Sequence, residues 1–190
     1  MDWLLVSIDA SRPHDVGFAV SWHARLMTLA WGILAPTAVL IARYLKVLPG
    51  QDWPRQLDSR LWWRCHWITQ SMVLMLTVGG TILVWDVSEG QSLHGRLGYA
   101  VLGRAWGLGR HGLFRGCKGG PTSPAREGAP RGDHYDMTRW RVLFEWAHKL
   151  LGYALLGLAI ATILVGLWHA NAPVWMWLSL IVWWSGLVCA

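Results

Sequence analysis

At 190 residues the chain is 54% hydrophobic and only 15% charged, which sets it apart from ordinary soluble domains. Its formal charge of +6 fits contact with anionic lipid, and no module that interleaves aromatic and basic residues points to nucleic acid. Apolar runs close to the roughly 20 residues that cross a bilayer take up most of the length and leave no room for a separate soluble domain.

Residues 1–19 come first. The opening Met1-Asp2-Trp3-Leu4-Leu5-Val6-Ser7-Ile8-Asp9 lacks the positive start of a cleavable secretion signal. Trp3, Leu4, Leu5 and Ile8 instead predict an interfacial segment along the outer membrane surface. Helices are predicted over 20–46, 62–86, 92–112, 140–168 and 173–189. The third is the least apolar. It carries Arg96, Arg104 and Arg110 and five glycines between 95 and 109, a pattern shared with buried or re-entrant segments. Residues 115–136 are turn-rich and polar and read as a surface loop. Within it, Lys118-Gly119-Gly120 lacks the glycine spacing of a phosphate-binding loop. Asp133-His134-Tyr135-Asp136 reads as a solvated turn rather than a metal site. The fifth helix, within residues 171–190, holds Trp175, Trp177, Trp183 and Trp184, too many for one interfacial belt. It either caps the bundle against lipid or offers a docking surface to a larger membrane redox complex.

Lys and Arg set the expected orientation. Arg43, Lys46, Arg55, Arg60 and Arg64 fall in the connection 43–64, and seven more basic residues in 110–141. The stretches 86–93 and 169–173 have none. Both basic loops are therefore expected in the cytoplasm, with the N-terminus outside and the C-terminus inside. Cys65, Cys117 and Cys189 all map to the cytoplasmic side, where thiols stay reduced. No Cys-x-x-Cys-His motif is present, so covalent c-type haem attachment is not expected.

Four histidines, each on a different predicted helix, carry the chemistry: His23, His66, His94 and His148. A histidine in hydrocarbon is costly and normally has a partner, and imidazole is a good axial ligand for haem iron. The orientation puts His23 and His94 near the outer face and His66 and His148 near the inner face. Two bis-histidine haem sites, on the order of 20 Å or 13 helical residues apart, follow from that division. A single four-histidine zinc site is disfavoured. Thirteen residues beyond His66 and His94 stand Gly79 and Gly107, followed by Gly80 and Gly109. These small residues either clear room for haem or simply let helices pack. His14, His111, His134 and His169 read as solvated side chains or packing contacts. Arg25 and Arg96 follow the outer ligands by two residues, and Lys149 and Arg64 flank the inner ones. Each either pairs with a haem propionate or snorkels to the interface. Arg104 lies deep in its helix and is expected to face protein, haem or water, near the inner haem edge.

The segments His23-Ala-Arg-Leu-Met-Thr-Leu-Ala-Trp-Gly, Ala42-Arg43-Tyr44-Leu45-Lys46, Ser92-Leu93-His94-Gly95-Arg96-Leu97-Gly98 and His148-Lys149-Leu150-Leu151-Gly152-Tyr153 resemble the transmembrane core of the cytochrome b561 family. The resemblance covers roughly residues 20–170. The first segment looks especially like versions linked to an extracellular haem or sugar-type domain. The family likeness implies an all-α membrane protein: a four-helix haem-binding bundle with an additional C-terminal transmembrane helix outside it. It further implies two non-covalent haem b groups, ligated by His23 with His94 and by His66 with His148. Arg43 and Lys46 look like the basic residues used by ascorbate-oxidising members, yet the orientation rule accounts for them equally well. The long basic loop 110–141 resembles bacterial members, hence an expected bacterial inner membrane. A different diheme family places two ligands on its last core helix. Here His148 and His169 are 21 positions, or roughly 31 Å, apart, which is too far. Two functions are expected as alternatives: electron transfer across or within the membrane between an unassigned donor and acceptor, or an accessory haem subunit of a larger redox complex. No acid, base or nucleophile is assigned.

Overall fold

The computed structural model describes residues 2–51, 59–87, 92–115 and 138–189. Among the described residues there is no strand and there are five long helices. They are α1, Phe18–Tyr44; α2, Arg60–Leu83; α3, Leu93–Leu113; α4, Arg139–His169; and α5, Val174–Cys189. Polar caps start three of them where the apolar runs begin. The hydroxyls of Ser59, Ser92 and Thr138 accept the amides of Leu61, Gly95 and Arg141. By length and composition, α1 and α4 are long and apolar enough to cross a membrane, and α5 is a shorter apolar helix. Arg64 on α2 and Arg96, Arg104 and Arg110 on α3 make those two helices less apolar.

α1 packs along α2, and α3 along α4; the middle of α1 also packs on α4, and α2 meets α3. Small side chains allow the close approach: Ala30, Ala35, Ala38, Ala105 and Ala159 are all buried. Large apolar side chains such as Trp67, Met75, Ile82 and Leu151 point outward, as a membrane solvent permits.

The middle of α1, Thr28–Leu34, is π-helical. Pro36 gives the reason. It has no N–H to donate to the carbonyl of Gly32 four residues back, and its ring crowds that carbonyl. The Gly32 carbonyl instead accepts the indole N–H groups of Trp183 at 2.9 Å and Trp184 at 3.1 Å. Leu180 of α5 joins the same core. α5 is therefore docked on α1 through two of its four tryptophans.

The N-terminal segment folds over the α4–α5 turn. Ile8 donates its amide to the Ala172 carbonyl, and Val174 donates to Val6. Asn171 sits in the turn with φ of 50°, a left-handed conformation that Asn tolerates. Its buried side chain accepts the Asp9 amide and donates to the carbonyls of Asp9 and Arg12. Of the four side chains expected to form an interfacial face, Trp3, Leu5 and Ile8 are exposed and Leu4 is half-buried. The Asp9 carboxylate accepts from the Ser11 hydroxyl and amide and from Arg12, which hold its pKa down at about 2.

Candidate functional site

The antiparallel helices place the starts of α1 and α3 at the same end as the finishes of α2 and α4. His23 and His94 meet there, their ring centroids 6.0 Å apart and their planes at 87°. At the other end His66 and His148 meet with centroids 6.5 Å apart and planes at 66°. The four helix-borne histidines thus form the two pairs that the sequence suggested.

Three of the four rings are held by a backbone carbonyl. His23 Nδ1 lies 2.8 Å from the Gly80 carbonyl, His66 Nδ1 2.9 Å from that of Ala38, and His94 Nδ1 3.1 Å from that of Thr162. A carbonyl oxygen can only accept, so each Nδ1 carries a proton, and in the neutral ring Nε2 is the nitrogen with a free lone pair. This is the arrangement by which protein environments orient metal-ligating imidazoles. Two imidazoles whose Nε2 atoms each sit about 2 Å from one first-row metal ion have centroids about 6 Å apart. The observed separations fit such a pair. Among the described residues no group of three or more His, Cys, Asp or Glu could hold a bare metal ion. A porphyrin iron needs only two protein ligands.

Glycines make room for the rings. A Cβ on Gly166 would stand 2.8 Å from His94 Cε1, so only glycine lets α4 pass the His94 ring. A Cβ on Gly80 would meet Met27 at 2.7 Å beside His23. Gly80 was one of the glycines marked by spacing, whereas Gly166 has no signal within its apolar run. Gly79 and Gly107 have nothing within 4 Å of a built Cβ, and Gly109 approaches only Leu74.

The surroundings of His148 hold more than the sequence reveals. Arg141, counted only as a loop cation, is buried (3% exposed) on α4 and pairs with Glu145 at 3.0 Å. His111 is a packing contact, stacked on Phe144 with centroids 4.6 Å apart. Arg141, Phe144, Glu145 and His148 fall three or four residues apart along one face of α4, which is the spacing that could have revealed them. The other expected side chains lie on the surface. Arg25 stacks over Trp22 at 5.1 Å, and Lys149 lies 3.8 Å from Glu145. Arg96 and Arg104 are exposed on α3. His14 bonds the Ala170 carbonyl. Cys65 and Cys189 are free thiols. Cys117, His134 and the Asp133–Asp136 cluster lie outside the described residues.

Residues 22–108 match a family model described as eukaryotic cytochrome b561. The match includes three of the four histidines and ends before His148. Over residues 22–108, just under half of its length, the chain is similar to the cytochrome b561 family. A curated relative, the cytochrome b561, DM13 and DOMON domain-containing protein of Arabidopsis thaliana, is 23% identical over 169 residues. That alignment takes in 87% of this chain but only 16% of the relative's length. No solved structure matches the chain. Proteins of the cytochrome b561 family are membrane proteins that bind haem b. Both matches are to eukaryotic proteins, and neither supports the bacterial inner membrane expected from the loop 110–141.

Proposed function

We propose that this cytochrome b561-like chain carries electrons across a membrane on two non-covalent haem b groups, held in a four-helix bundle of α1 to α4. His23 and His94 ligate one haem, and His66 and His148 the other. The observation that supports this reading most is the contact of three of the four Nδ1 atoms with backbone carbonyls, which leaves each Nε2 available as a ligand in the neutral ring. When bound, each haem supplies a one-electron iron couple. The chain's own residues fix the rings, keep water out through the packed alanines, and set the spacing. His66 and Gly80 serve opposite ends and are fourteen residues apart on α2, about 21 Å along a helix. Arg96 and Arg104, exposed on α3, are free to reach haem propionates or anionic headgroups. The basic residues of 43–64 and 110–141 support an orientation with the His66 end in the cytoplasm and the N-terminus outside.

The accessory-subunit reading draws on the tryptophans of α5, and two of those are spent on Gly32 within the chain. A vesicle experiment separates the two readings. Purified protein is reconstituted around trapped ferricyanide, and a membrane-impermeant reductant is added outside. The carrier reading expects the trapped ferricyanide to be reduced at a rate that scales with haem-loaded protein. Haems that reduce while the trapped acceptor stays oxidised would refute transmembrane transfer and favour the accessory role.

A further inference from the structure

One histidine departs from the pattern of the other three. Fourteen or fifteen residues beyond His23, His66 and His148, on the same helix, stands a carbonyl that receives a histidine of the packed neighbour: Ala38, Gly80 and Thr162. α1 and α2 serve each other in this way, and α4 serves α3. α3 gives no carbonyl to His148, whose Nδ1 is buried with no hydrogen-bond partner among the described residues. At that depth α3 presents His111, seventeen residues beyond His94, and the Nδ1 of His111 is buried and unpartnered as well. The two rings lie within 11° of parallel with centroids 5.9 Å apart. Both stack on Phe144, at 4.6 and 5.5 Å, with the buried Arg141 guanidinium 5.5 Å from that ring. Two orphaned nitrogens in one buried stack are a costly arrangement unless something joins them. Parallel rings at this separation do not bond directly, but one water with polar partners on both sides can span them.

We infer that His111 is the positioning residue for His148: His148 Nδ1–H donates to one bridging water, which in turn donates to His111 Nδ1. The inference rests on the haem reading above. It gives the His66–His148 site a side-chain acceptor where the other three ligands have backbone carbonyls. An acceptor on Nδ1 raises the basicity of a ligating imidazole and favours the oxidised metal. A backbone carbonyl cannot be mutated away, whereas a side-chain acceptor can be replaced directly.

Full-length protein carrying His111→Phe keeps the stack and loses the acceptor. His111→Asn places an amide oxygen near the position of Nδ1 and restores it. Haem per chain, the two midpoint potentials and the low-spin ferric EPR g-values are measured for both and for wild type. With two haems retained, His111→Phe should raise the reduced-to-oxidised ratio of the His66–His148 haem at fixed potential by about fivefold, the weight of one net hydrogen bond. The His23–His94 haem should not move, and His111→Asn should return the first to the wild-type value. An unmoved potential and unmoved g-values in His111→Phe would overturn the inference, as would an Asn variant that shifts as far as Phe. Wild type offers a readout that needs no variant to fold. In reduced protein with 15N-labelled histidine, the His148 Nδ1 proton should cross-relax with water, and those of His23, His66 and His94 should not. Absence of that signal overturns the bridge. A wild-type ratio below two haems per chain refutes the parent reading instead, whatever the variants do.

Discussion

A histidine pair works as a haem clamp only if every atom around it leaves the two Nε2 donors facing each other. The site assignment therefore makes separable predictions residue by residue. His23→Ala should remove the haem at one end and leave most of the other, and His66→Ala should do the reverse. Redox titration of the two purified variants checks this, and loss of the same haem in both would break the pairing. Gly166→Ala is a finer probe. Its methyl would sit 2.8 Å from His94 Cε1 and 3.0 Å from His94 Nδ1, so the ring must swing away from the Thr162 carbonyl. We expect roughly a tenfold loss in affinity at the His23–His94 site, the low end for a broken ligand support. Haem titration of the apoprotein should show it, and unchanged affinity at that site would contradict the geometry. The four histidines were legible in the sequence because a polar ring in an apolar run needs a reason to be there. Gly166 was not, since a glycine in a membrane helix has many uses. Arg141 was not either, because a basic residue beside a predicted cytoplasmic loop is already explained by the charge rule. Its burial against Glu145 and Phe144 emerges only once α3 and α4 are packed.

At the level of elements, hydropathy located all five helices to within three residues, since apolar length and the polar caps at Ser59, Ser92 and Thr138 act locally. The π-helical turn of α1 was not legible. Pro36 announces a disturbed helix, but whether a proline kinks it, breaks it or widens it depends on what satisfies the freed carbonyl. Here α5 does so, through Trp183 and Trp184. Either indole alone keeps the Gly32 carbonyl bonded. Trp183→Phe or Trp184→Phe singly should cost about 1 kcal/mol or less, and the double variant about 2–3 kcal/mol, because a buried carbonyl is then left unpaired. Unfolding of the three variants in detergent tests this. Strict additivity of the two single effects would argue against a shared acceptor.

At the level of the whole molecule, the N-terminal segment and the α4–α5 turn close one end of the helix set through Asn171, and Asp9 ties that closure to pH. Its carboxyl is held down at about 2, by Ser11 and then Arg12, from an ordinary 3.8. A depressed carboxyl contributes stability that is complete above its ordinary value and is lost as pH falls through the depressed one. Docking of residues 2–12 should therefore weaken between about pH 4 and pH 2 in wild type, and the Asp9→Asn variant should lack that step. Limited acid proteolysis near the N-terminus reads the difference, and identical profiles would exclude Asp9 from the closure. The larger architecture was legible where chemistry and topology agreed. Alternating helix direction alone sorts His23 with His94 and His66 with His148, and the folded chain brings those partners together. What lay beyond the sequence was the reciprocal carbonyl support, because it depends on which helices touch and at what rotation. The central claim is that both pairs hold haem, and the haem-to-chain ratio of the purified wild-type protein tests it most directly. Pyridine haemochrome analysis against protein concentration should give two extractable b-type haems per chain; a ratio of one, or of none, would contradict the account.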